Sequence, residues 1–201
     1  MYLVSTGKNP IYGTYEDDVL TGNNTQTWKY EGNQLRLEYA DDAIYGYAGD
    51  DRLLGRGGND DLFGGSGNDD LFGGSGNDNL SGGSGNDYLS GGSNDVNSSG
   101  YDTVTGGIGE DRFVLGDIQG VHYRGSGYAT IADFVKGTDK IQLWSIGDYT
   151  LQVLGQDTRI KEGEDLIGVV VGNTNLSLES DFVYVTPPLI QAEIVNSQII
   201  L

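Results

Sequence analysis

An all-β fold, built from very short strands stacked as coils, is predicted for the centre of this chain. Residues 46–90 are five consecutive copies of one nine-residue block: GYAGDDRLL, GRGGNDDLF, GGSGNDDLF, GGSGNDNLS and GGSGNDYLS. Every copy places Gly fourth, Asp sixth and Leu eighth. A flexible Gly/Ser linker has no reason to repeat a leucine in strict phase, so the repetition predicts one structural unit per block.

The first six residues of a block are suited to a tight turn, because glycine reaches φ > 0 without a Cβ clash. The fifth residue is an asparagine in four blocks (Asn59, Asn68, Asn77 and Asn86), and asparagine also tolerates the left-handed region. The last three residues place a leucine between more polar or variable neighbours, which is the alternation of a short strand. Such a strand rises only about 10 Å, so it is stable only when stacked on copies of itself.

Two blocks close one coil of roughly 18 residues, which places each block above the block two further along. The leucines then share one core: Leu53, Leu62, Leu71, Leu80 and Leu89. The aspartates form two columns, one of Asp42, Asp60 and Asp78, the other of Asp51, Asp69 and Asp87.

Each column of aspartates requires a cation, because carboxylates repeated at about one strand separation, 4.8 Å, repel one another. The glycine turns also leave backbone carbonyl oxygens pointing into the same gap. Oxygen ligands with flexible geometry and without nitrogen or sulfur favour Ca²⁺, whereas Mg²⁺ demands a stricter octahedron and keeps its waters. The pattern therefore predicts calcium sites along both columns.

The block resembles the nonapeptide GGxGxDxUx of the repeats-in-toxin (RTX, haemolysin-type) family of calcium-binding proteins. The resemblance implies a right-handed parallel β-roll loaded with calcium. We expect about four to six ions, concentrated between Asp42 and Asp111. The candidate metal ligands in the repeats are Asp42, Gly49, Asp51, Gly55, Gly57, Asp60, Gly64, Ser66, Asp69, Gly73, Ser75, Asp78, Gly82, Ser84, Asp87, Asp102 and Asp111.

Degenerate copies extend the phase on both sides. Residues 106–114 fit with Phe113 in the apolar slot, and residues 91–105 form a copy enlarged by six residues. Upstream, residues 13–21 and 37–45 keep the aspartate and the apolar residue but lose glycines. These copies predict additional coils that bind metal weakly or not at all.

Residues 22–36 lie between the two upstream copies and read as a hairpin that turns at Glu31-Gly32-Asn33. We divide the chain into an N-terminal degenerate coil and hairpin insertion (1–36), the RTX roll (37–114) and a C-terminal cap (115–201).

The cap has a different composition, with fewer glycines and alternating β-branched stretches. Strands are predicted at 128–134, 140–144, 149–154, 158–161, 166–171 and 182–185, so we expect a β-sandwich-like cap over the leucine core. The segment IADFVKGTDKIQL (131–143) resembles the stretch that follows the rolls in serralysin-type proteases and cyanobacterial RTX proteins. That resemblance makes Asp133 and Asp139 ligand candidates for one further calcium, although both also suit turns. Residues 189–201 are either a final strand or a secretion signal, or both.

Composition restricts the function classes. The formal net charge is −19, from 30 acidic and 11 basic residues, which disfavours nucleic acid and anionic membranes as partners. The sequence has no cysteine, no apolar stretch of membrane-spanning length and no signal-peptide pattern at its start. Within the RTX family this fits a bacterial, extracellular protein exported by a type I (ABC-transporter) machinery without an N-terminal signal peptide.

Catalytic signatures are lacking. The one histidine, His122, excludes an HExxH zinc site, and no nucleophile elbow, Walker loop or dinucleotide fingerprint is present. The prediction is a non-enzymatic, calcium-dependent folding and secretion module, the C-terminal region of a larger extracellular protein. The alternative is a stand-alone extracellular adhesive protein that binds polysaccharide or a cell surface.

The ninth position of the block faces outward in this arrangement, yet it carries large apolar residues. Tyr45 and Phe63 are predicted to stack on one wall, and Leu54 and Phe72 on the other. Exposed apolar ladders of this kind are atypical of a free surface. We expect the 22–36 insertion to fold over one wall and a partner or a preceding domain to contact the other.

Overall fold

The computed structural model describes residues 8–16, 18–22, 26–31, 34–92, 100–123, 125 and 127–186, with residues 9, 26–31 and 34–38 described by their backbone. Its strands are β1 (Asn9–Tyr12), β2 (Val19–Thr21), β3 (Gln26–Glu31), β4 (Gln34–Tyr39), β5 (Asp42–Ala48), β6 (Arg52–Gly57), β7 (Asp61–Ser66), β8 (Asp70–Ser75), β9 (Asn79–Ser84), β10 (Tyr88–Ser90), β11 (Tyr101–Ile108), β12 (Arg112–Val114), β13 (Gly116–Asp117), β14 (Gly120–Val121), β15 (Tyr128–Ile131), β16 (Lys140–Trp144), β17 (Tyr149–Leu154), β18 (Asp157–Glu162), β19 (Asp165–Val170) and β20 (Phe182–Val185). The described part of the chain contains no helix, so the all-β prediction is confirmed.

Two facing sheets contain most of these strands. The first has the order β1-β5-β7-β9-β11-β15-β19-β18-β17, and the second the order β2-β6-β8-β10-β12-β16-β20. Successive blocks alternate between the sheets, and each strand pairs in parallel with the strand two blocks later. Ile44 is paired with Leu62 and Leu62 with Leu80, which confirms the predicted coil of two blocks.

The core lies between the two sheets, where the eighth position of every block points inward. The five repeat leucines and Ile44 are at most 1 % exposed. Burying one such side chain contributes about 2 kcal/mol, so each coil contributes about twice that amount to the core. Val104, Phe113, Ile131 and Ile141 continue the same column of apolar residues beyond the clean repeats.

The two sheets continue through residue 114 without a break, so the boundary predicted there is one of composition. The strands β15 and β19 extend the first sheet in parallel, and β16 and β20 extend the second. Among the described strands of these two sheets, β17 and β18 are the ones added by antiparallel pairing, while β13 and β14 form a separate antiparallel pair. Ile131 and Ile141 occupy the inward position in these strands, as leucine does in the repeats. All six strands predicted in this region are present, with bounds shifted by at most three residues.

Both irregular segments fit the repeat phase. The N–H of Asp78 donates to Asp102, 24 residues further on, where clean copies are 18 apart, which accounts for the six extra residues of the enlarged copy. The strands β3 and β4 pair as an antiparallel hairpin. Its predicted turn at 32–33, the side chains expected to cover a wall, and residues 189–201 lie outside the described residues, so those expectations stay predictions.

The ninth-position residues form the two predicted ladders. Tyr45 lies beside Phe63 and Leu54 beside Phe72, on neighbouring strands of their sheets. The Tyr45 and Phe63 rings are stacked with centroids 5.0 Å apart and planes inclined by 10°. Tyr12 extends this stack from the preceding coil, with its centroid 5.4 Å from that of Tyr45. The stacking stabilises adjacent coils, because each ring covers the face of the next.

Close backbone approach makes the fourth-position glycines irreplaceable. A Cβ added at Gly76, whose φ is 129°, would lie 1.7 Å from the carbonyl oxygen of Gly58 in the coil below. We expect Gly76→Ala to lower the free energy of unfolding in calcium-containing buffer by several kcal/mol, since backbone would have to move. Gly172→Ala is the matched control, because Gly172 also has a positive φ (67°) but no atom within 4 Å of an added Cβ. It should cost only about 1–2 kcal/mol; equal losses in chemical denaturation would contradict the close approach.

Candidate metal centre

The sixth-position aspartates stand at the junction between each turn and its strand and form the two predicted columns. In the first column, the N–H of Asp42 donates to Oδ1 of Asp60 (2.7 Å), and that of Asp60 to Oδ1 of Asp78 (2.8 Å). In the second, Asp51 donates to Asp69 (2.8 Å) and Asp69 to Asp87 (2.9 Å) in the same way. These six side chains are at most 2 % exposed. The predicted stacking is therefore confirmed, and each column lies inside the protein.

Both columns run further than the clean repeats. Asp78 donates to Oδ1 of Asp102, which ends the first column. The second begins at Asp18, whose N–H donates to Oδ1 of Asp51. It continues through Asp111 to Asp139 by the same type of bond.

A second ladder runs outside each column in the opposite direction, through the fifth position. The N–H of Asn77 donates to Oδ1 of Asn59, and the N–H of Asn86 to Oδ1 of Asn68, each in the coil below. Asn68 in turn donates its N–H to Oδ1 of Asp50. The two ladders satisfy the N–H groups of fifth and sixth positions, and so fix the height of each turn above the last.

Five aspartates of the columns leave their other carboxylate oxygen without a hydrogen-bond partner. Oδ2 is fully buried and accepts no hydrogen bond in five residues: Asp60, Asp69, Asp78, Asp87 and Asp111. An ionised carboxylate oxygen left in this state costs several kcal/mol, so a proton or a cation must occupy the position.

Burial makes these carboxyl groups weaker acids, which is seen in their raised pKa values. Burial, together with the neighbouring carboxylates of each column, raises the pKa of Asp78 to about 8 and that of Asp60 to about 7, from a usual value of 3.8. The same cause raises the pKa of Asp87 to about 7 and that of Asp69 to about 6. Without a cation, the columns therefore retain protons near neutral pH.

Because the first residue of these blocks is glycine, space is left beside the Oδ2 atom of the aspartate in the same block. A Cβ added at Gly55 would lie 2.5 Å from Oδ2 of Asp60 and 2.6 Å from the carbonyl oxygen of Gly73 in the coil above. The arrangement recurs one block on, where a Cβ at Gly64 would contact Asp69 Oδ2 and the carbonyl of Gly82. The carbonyls of the predicted ligands Gly64, Gly73 and Gly82 thus face the carboxylates.

The other predicted metal ligands in the turns have different contacts. The carbonyls of Ser66, Ser75 and Ser84 accept the fourth-position N–H of the coil below, so they carry one ladder bond each. Gly57 occupies the third position of its block, the position that Ser66, Ser75 and Ser84 occupy in the following blocks. The carbonyl oxygen of Gly49 would lie 1.9 Å from a Cβ added at Gly67, the fourth-position glycine one coil above.

Oxygen donors of this kind fit Ca²⁺. Among the described residues, no three Asp, Glu or His side chains converge on one point, so a bound ion would depend on backbone carbonyls for most of its ligands. Carboxylate and carbonyl oxygens without nitrogen are what calcium accepts in flexible coordination.

Protein groups satisfy the carboxylates at the C-terminal ends of the columns. The Tyr123 hydroxyl donates to Oδ2 of Asp102 (2.5 Å). Oδ2 of Asp139 accepts the N–H of Val135 (2.7 Å), and the two oxygens of Asp133 accept the N–H groups of residues 106 and 107. Asp133 is thus held by the backbone of a neighbouring coil, and Asp139 accepts a hydrogen bond within its own turn.

Two lysines place ammonium groups beyond the last coil. Lys136 Nζ lies 3.6 Å from Oδ2 of the buried Asp181 and donates to the carbonyl of Asn175. Lys140 Nζ donates to the carbonyl of Ser180 at 2.9 Å. The sequence analysis missed Tyr123, Lys136 and Asp181, because none occupies the repeat phase and no local signal marks them.

The raised pKa values predict an unusual pH dependence for the metal-free chain. A carboxyl whose folded-state pKa lies above 3.8 favours the fold below about pH 4, and this contribution is lost as the pH rises through the folded pKa values of about 6–8. We therefore expect β-structure in EDTA to be greater at pH 4 than at pH 8 by circular dichroism. An increase in metal-free β-structure between pH 4 and pH 8 would contradict the burial of these carboxyls.

Comparisons with known proteins agree with this geometry. The family model described as the RTX calcium-binding nonapeptide repeat (four copies) matches residues 38–71, 63–95 and 98–117. No curated protein matches the chain in sequence.

The chain is also similar in structure to three solved proteins at low identity. The extracellular lipase LipA from Serratia marcescens is 14 % identical, with a TM-score of 0.33, over 89 % of this chain and 40 % of the lipase. The AlgE6R3 and AlgE6R2 subunits of the Azotobacter vinelandii mannuronan C5-epimerase are 19 % and 22 % identical, with TM-scores of 0.32 and 0.27. Those alignments cover 90 % of this chain and 86 % and 95 % of the two subunits. The chain spans less than half of the lipase, and these TM-scores are too low to support a functional conclusion. The family match and the aspartate columns coincide, so the part of the chain within residues 38–117 carries RTX calcium-binding nonapeptide repeats.

Proposed function

We propose that this chain is a module that folds when it binds calcium outside the cell, as the C-terminal region of a larger protein exported by a type I (ABC-transporter) route. The observation that carries the proposal is the set of five buried Oδ2 atoms without a hydrogen-bond partner. Each of these oxygens needs a proton or a cation beside it, and a cation stabilises the fold increasingly as the pH rises through the raised pKa values of the carboxyls.

The stabilisation that calcium binding provides is large enough to favour folding outside the cell and not in the cytosol. Extracellular calcium modules have dissociation constants on the order of 10⁻⁴–10⁻³ M. With millimolar free calcium, one such site stabilises the folded state by about 0.4–1.4 kcal/mol, and five sites by about 2–7 kcal/mol. That sum is comparable to the whole stability of an ordinary domain, about 5–15 kcal/mol. In the low-calcium cytosol the contribution vanishes, so the chain stays unfolded for export.

Five ions are proposed, one beside each of Asp60, Asp69, Asp78, Asp87 and Asp111. The number lies within the range expected from sequence. The first-position carbonyls of the coil above each aspartate are the proposed additional ligands, together with Asp42 and Asp51 at the start of the columns. Asp102, Asp133 and Asp139 are proposed to stay metal-free, since protein groups already satisfy their oxygens.

No helix among the described residues is long and apolar enough to cross a membrane. The acidic surface, with a net charge of −19, suits an extracellular chain surrounded by counter-ions. A non-enzymatic role is supported because the sites described serve metal binding and coil stacking. The enzymatic or adhesive domain of the larger protein is proposed to lie on the side of β1 and β2, which are the outermost strands of the two sheets.

Calcium should fold the chain where magnesium does not. We expect far-UV circular dichroism at pH 7.5 to show a cooperative gain of β signal when Ca²⁺ is added to EDTA-treated chain. Parallel titration with Mg²⁺ should leave the spectrum unchanged, because Mg²⁺ does not accept a carbonyl-rich, flexible site. A full β spectrum in EDTA at this pH, unaltered by Ca²⁺, would overturn the proposal.

The ion count has its own test in paired variants. Asp78→Asn removes a proposed ligand, so isothermal titration calorimetry should show the loss of at least one calcium per chain relative to the unmodified protein. Asp133→Asn removes a carboxylate that accepts two backbone N–H groups and should keep the full stoichiometry. If Asp133→Asn loses an ion and Asp78→Asn does not, the assignment of ligands is wrong.

A further inference from the structure

A small cavity lies on the wall of the second sheet. Its volume is about 190 Å³, and it is lined by Phe72, Gly74, Tyr88, Ser90, Gly92, Asp117 and His122. Drug-sized pockets have volumes of about 300–1,000 Å³. The cavity therefore has room for a single small ring and not for a chain of several units.

One side of the cavity is aromatic. The Phe72 and Tyr88 rings both line the cavity, with centroids 5.7 Å apart and planes inclined by 44°. Gln142 Nε2 donates to the Tyr88 hydroxyl at 3.3 Å and to the carbonyl of Gly116 at 3.1 Å. Tyr88 is thereby held in position before any ligand arrives.

The opposite side of the cavity is polar, and its side chains contact one another. His122, which is 5 % exposed, has Nδ1 3.3 Å from Ser90 Oγ and Nε2 3.4 Å from Asp117 Oδ2. Asp117 also accepts the N–H of Gln119 through Oδ1, which fixes the carboxylate. A buried imidazole between a hydroxyl and a carboxylate offers both donors and acceptors at one wall of the cavity.

The charges around the cavity favour a neutral ligand. Asp117 is an anion at its polar side, so an anionic ligand is repelled there. Arg52 lies 4.6 Å from the Phe72 centroid, and Arg112 is the strand partner of Tyr88, so cations already stand beside the aromatic side. A ring with one apolar face and several hydroxyl groups matches both sides at once.

We propose that this cavity binds one neutral hexopyranose unit, with its C–H face against Phe72 and Tyr88 and its hydroxyls on Asp117, His122 and Ser90. The proposal goes beyond calcium-dependent folding and is independent of the ion count. A single ring is held weakly, with a dissociation constant on the order of 10⁻³ M.

The aromatic ladder on the other wall does not offer the same chemistry. The rings of Tyr12, Tyr45 and Phe63 are stacked face to face along the roll, so their faces are covered by one another. Phe63 therefore provides a control at the equivalent repeat position.

His122 makes the test direct, because the chain has a single histidine. In the calcium-loaded full chain, the imidazole Hε1 resonance is followed by proton NMR while D-glucose, D-mannose or D-galactose is added. At least one hexose should shift it saturably. Choline and D-glucuronate, the cationic and anionic probes, should not.

Phe72→Leu removes an aromatic face and should weaken the hexose about tenfold, equivalent to about 1.4 kcal/mol. Asp117→Asn should weaken it to a similar degree, while Phe63→Leu should leave affinity unchanged. No saturable shift with any hexose, a shift that is unchanged by Phe72→Leu, or preference for choline or glucuronate would each overturn the proposal. The calcium-induced circular dichroism of the same samples shows whether the roll itself is folded, so failure of the cavity is distinguishable from failure of calcium binding.

Discussion

Burial of one carboxylate per turn is the constraint on which the rest of the structure depends. Each sixth-position aspartate uses Oδ1 to hold the N–H of the aspartate one coil below, as Asp60 holds Asp42. This bond sets the spacing of the coils and at the same time draws the carboxylate away from water. The leucine core, the glycine turns and the aromatic ladders all follow this spacing. Within the repeats, the fold and the demand for a cation are therefore one property, since each further repeat coil buries more acidic groups.

At the C-terminal ends of the columns, hydrogen-bond donors of the protein itself satisfy the buried carboxylates. The Tyr123 hydroxyl on Asp102 and the Val135 N–H on Asp139 donate hydrogen bonds where the repeats leave an oxygen without one. Lys136 then supplies a positive charge next to Asp181. Donors built into the chain thus replace cations in the region where the repeat ends. This gradation lets the C-terminal strands continue the same two sheets with fewer charges that need compensation.

Much of this architecture was predictable from the sequence, because its information is periodic. A period of nine, with Leu53 and Leu62 in phase, predicted the coil of two blocks, the core and both aspartate columns. The continuation of the sheets past residue 114 was not predictable, since parallel pairing there rests on apolar residues without a repeat. The contacts of Tyr123 with Asp102 and of His122 with Ser90 were equally hidden, because these residues meet only through the stacking of distant coils. Non-local contacts outside the repeat phase leave no pattern in a single sequence.

The central claim is that calcium occupies the space beside the buried Oδ2 atoms of the columns. A crystal structure of the calcium-loaded chain, with anomalous differences measured at a long wavelength, tests it most directly. The account predicts peaks beside Asp60, Asp69, Asp78, Asp87 and Asp111, and none beside Asp133 or Asp139. Peaks confined to the surface, or columns of aspartates without ions in a folded roll at neutral pH, would contradict it.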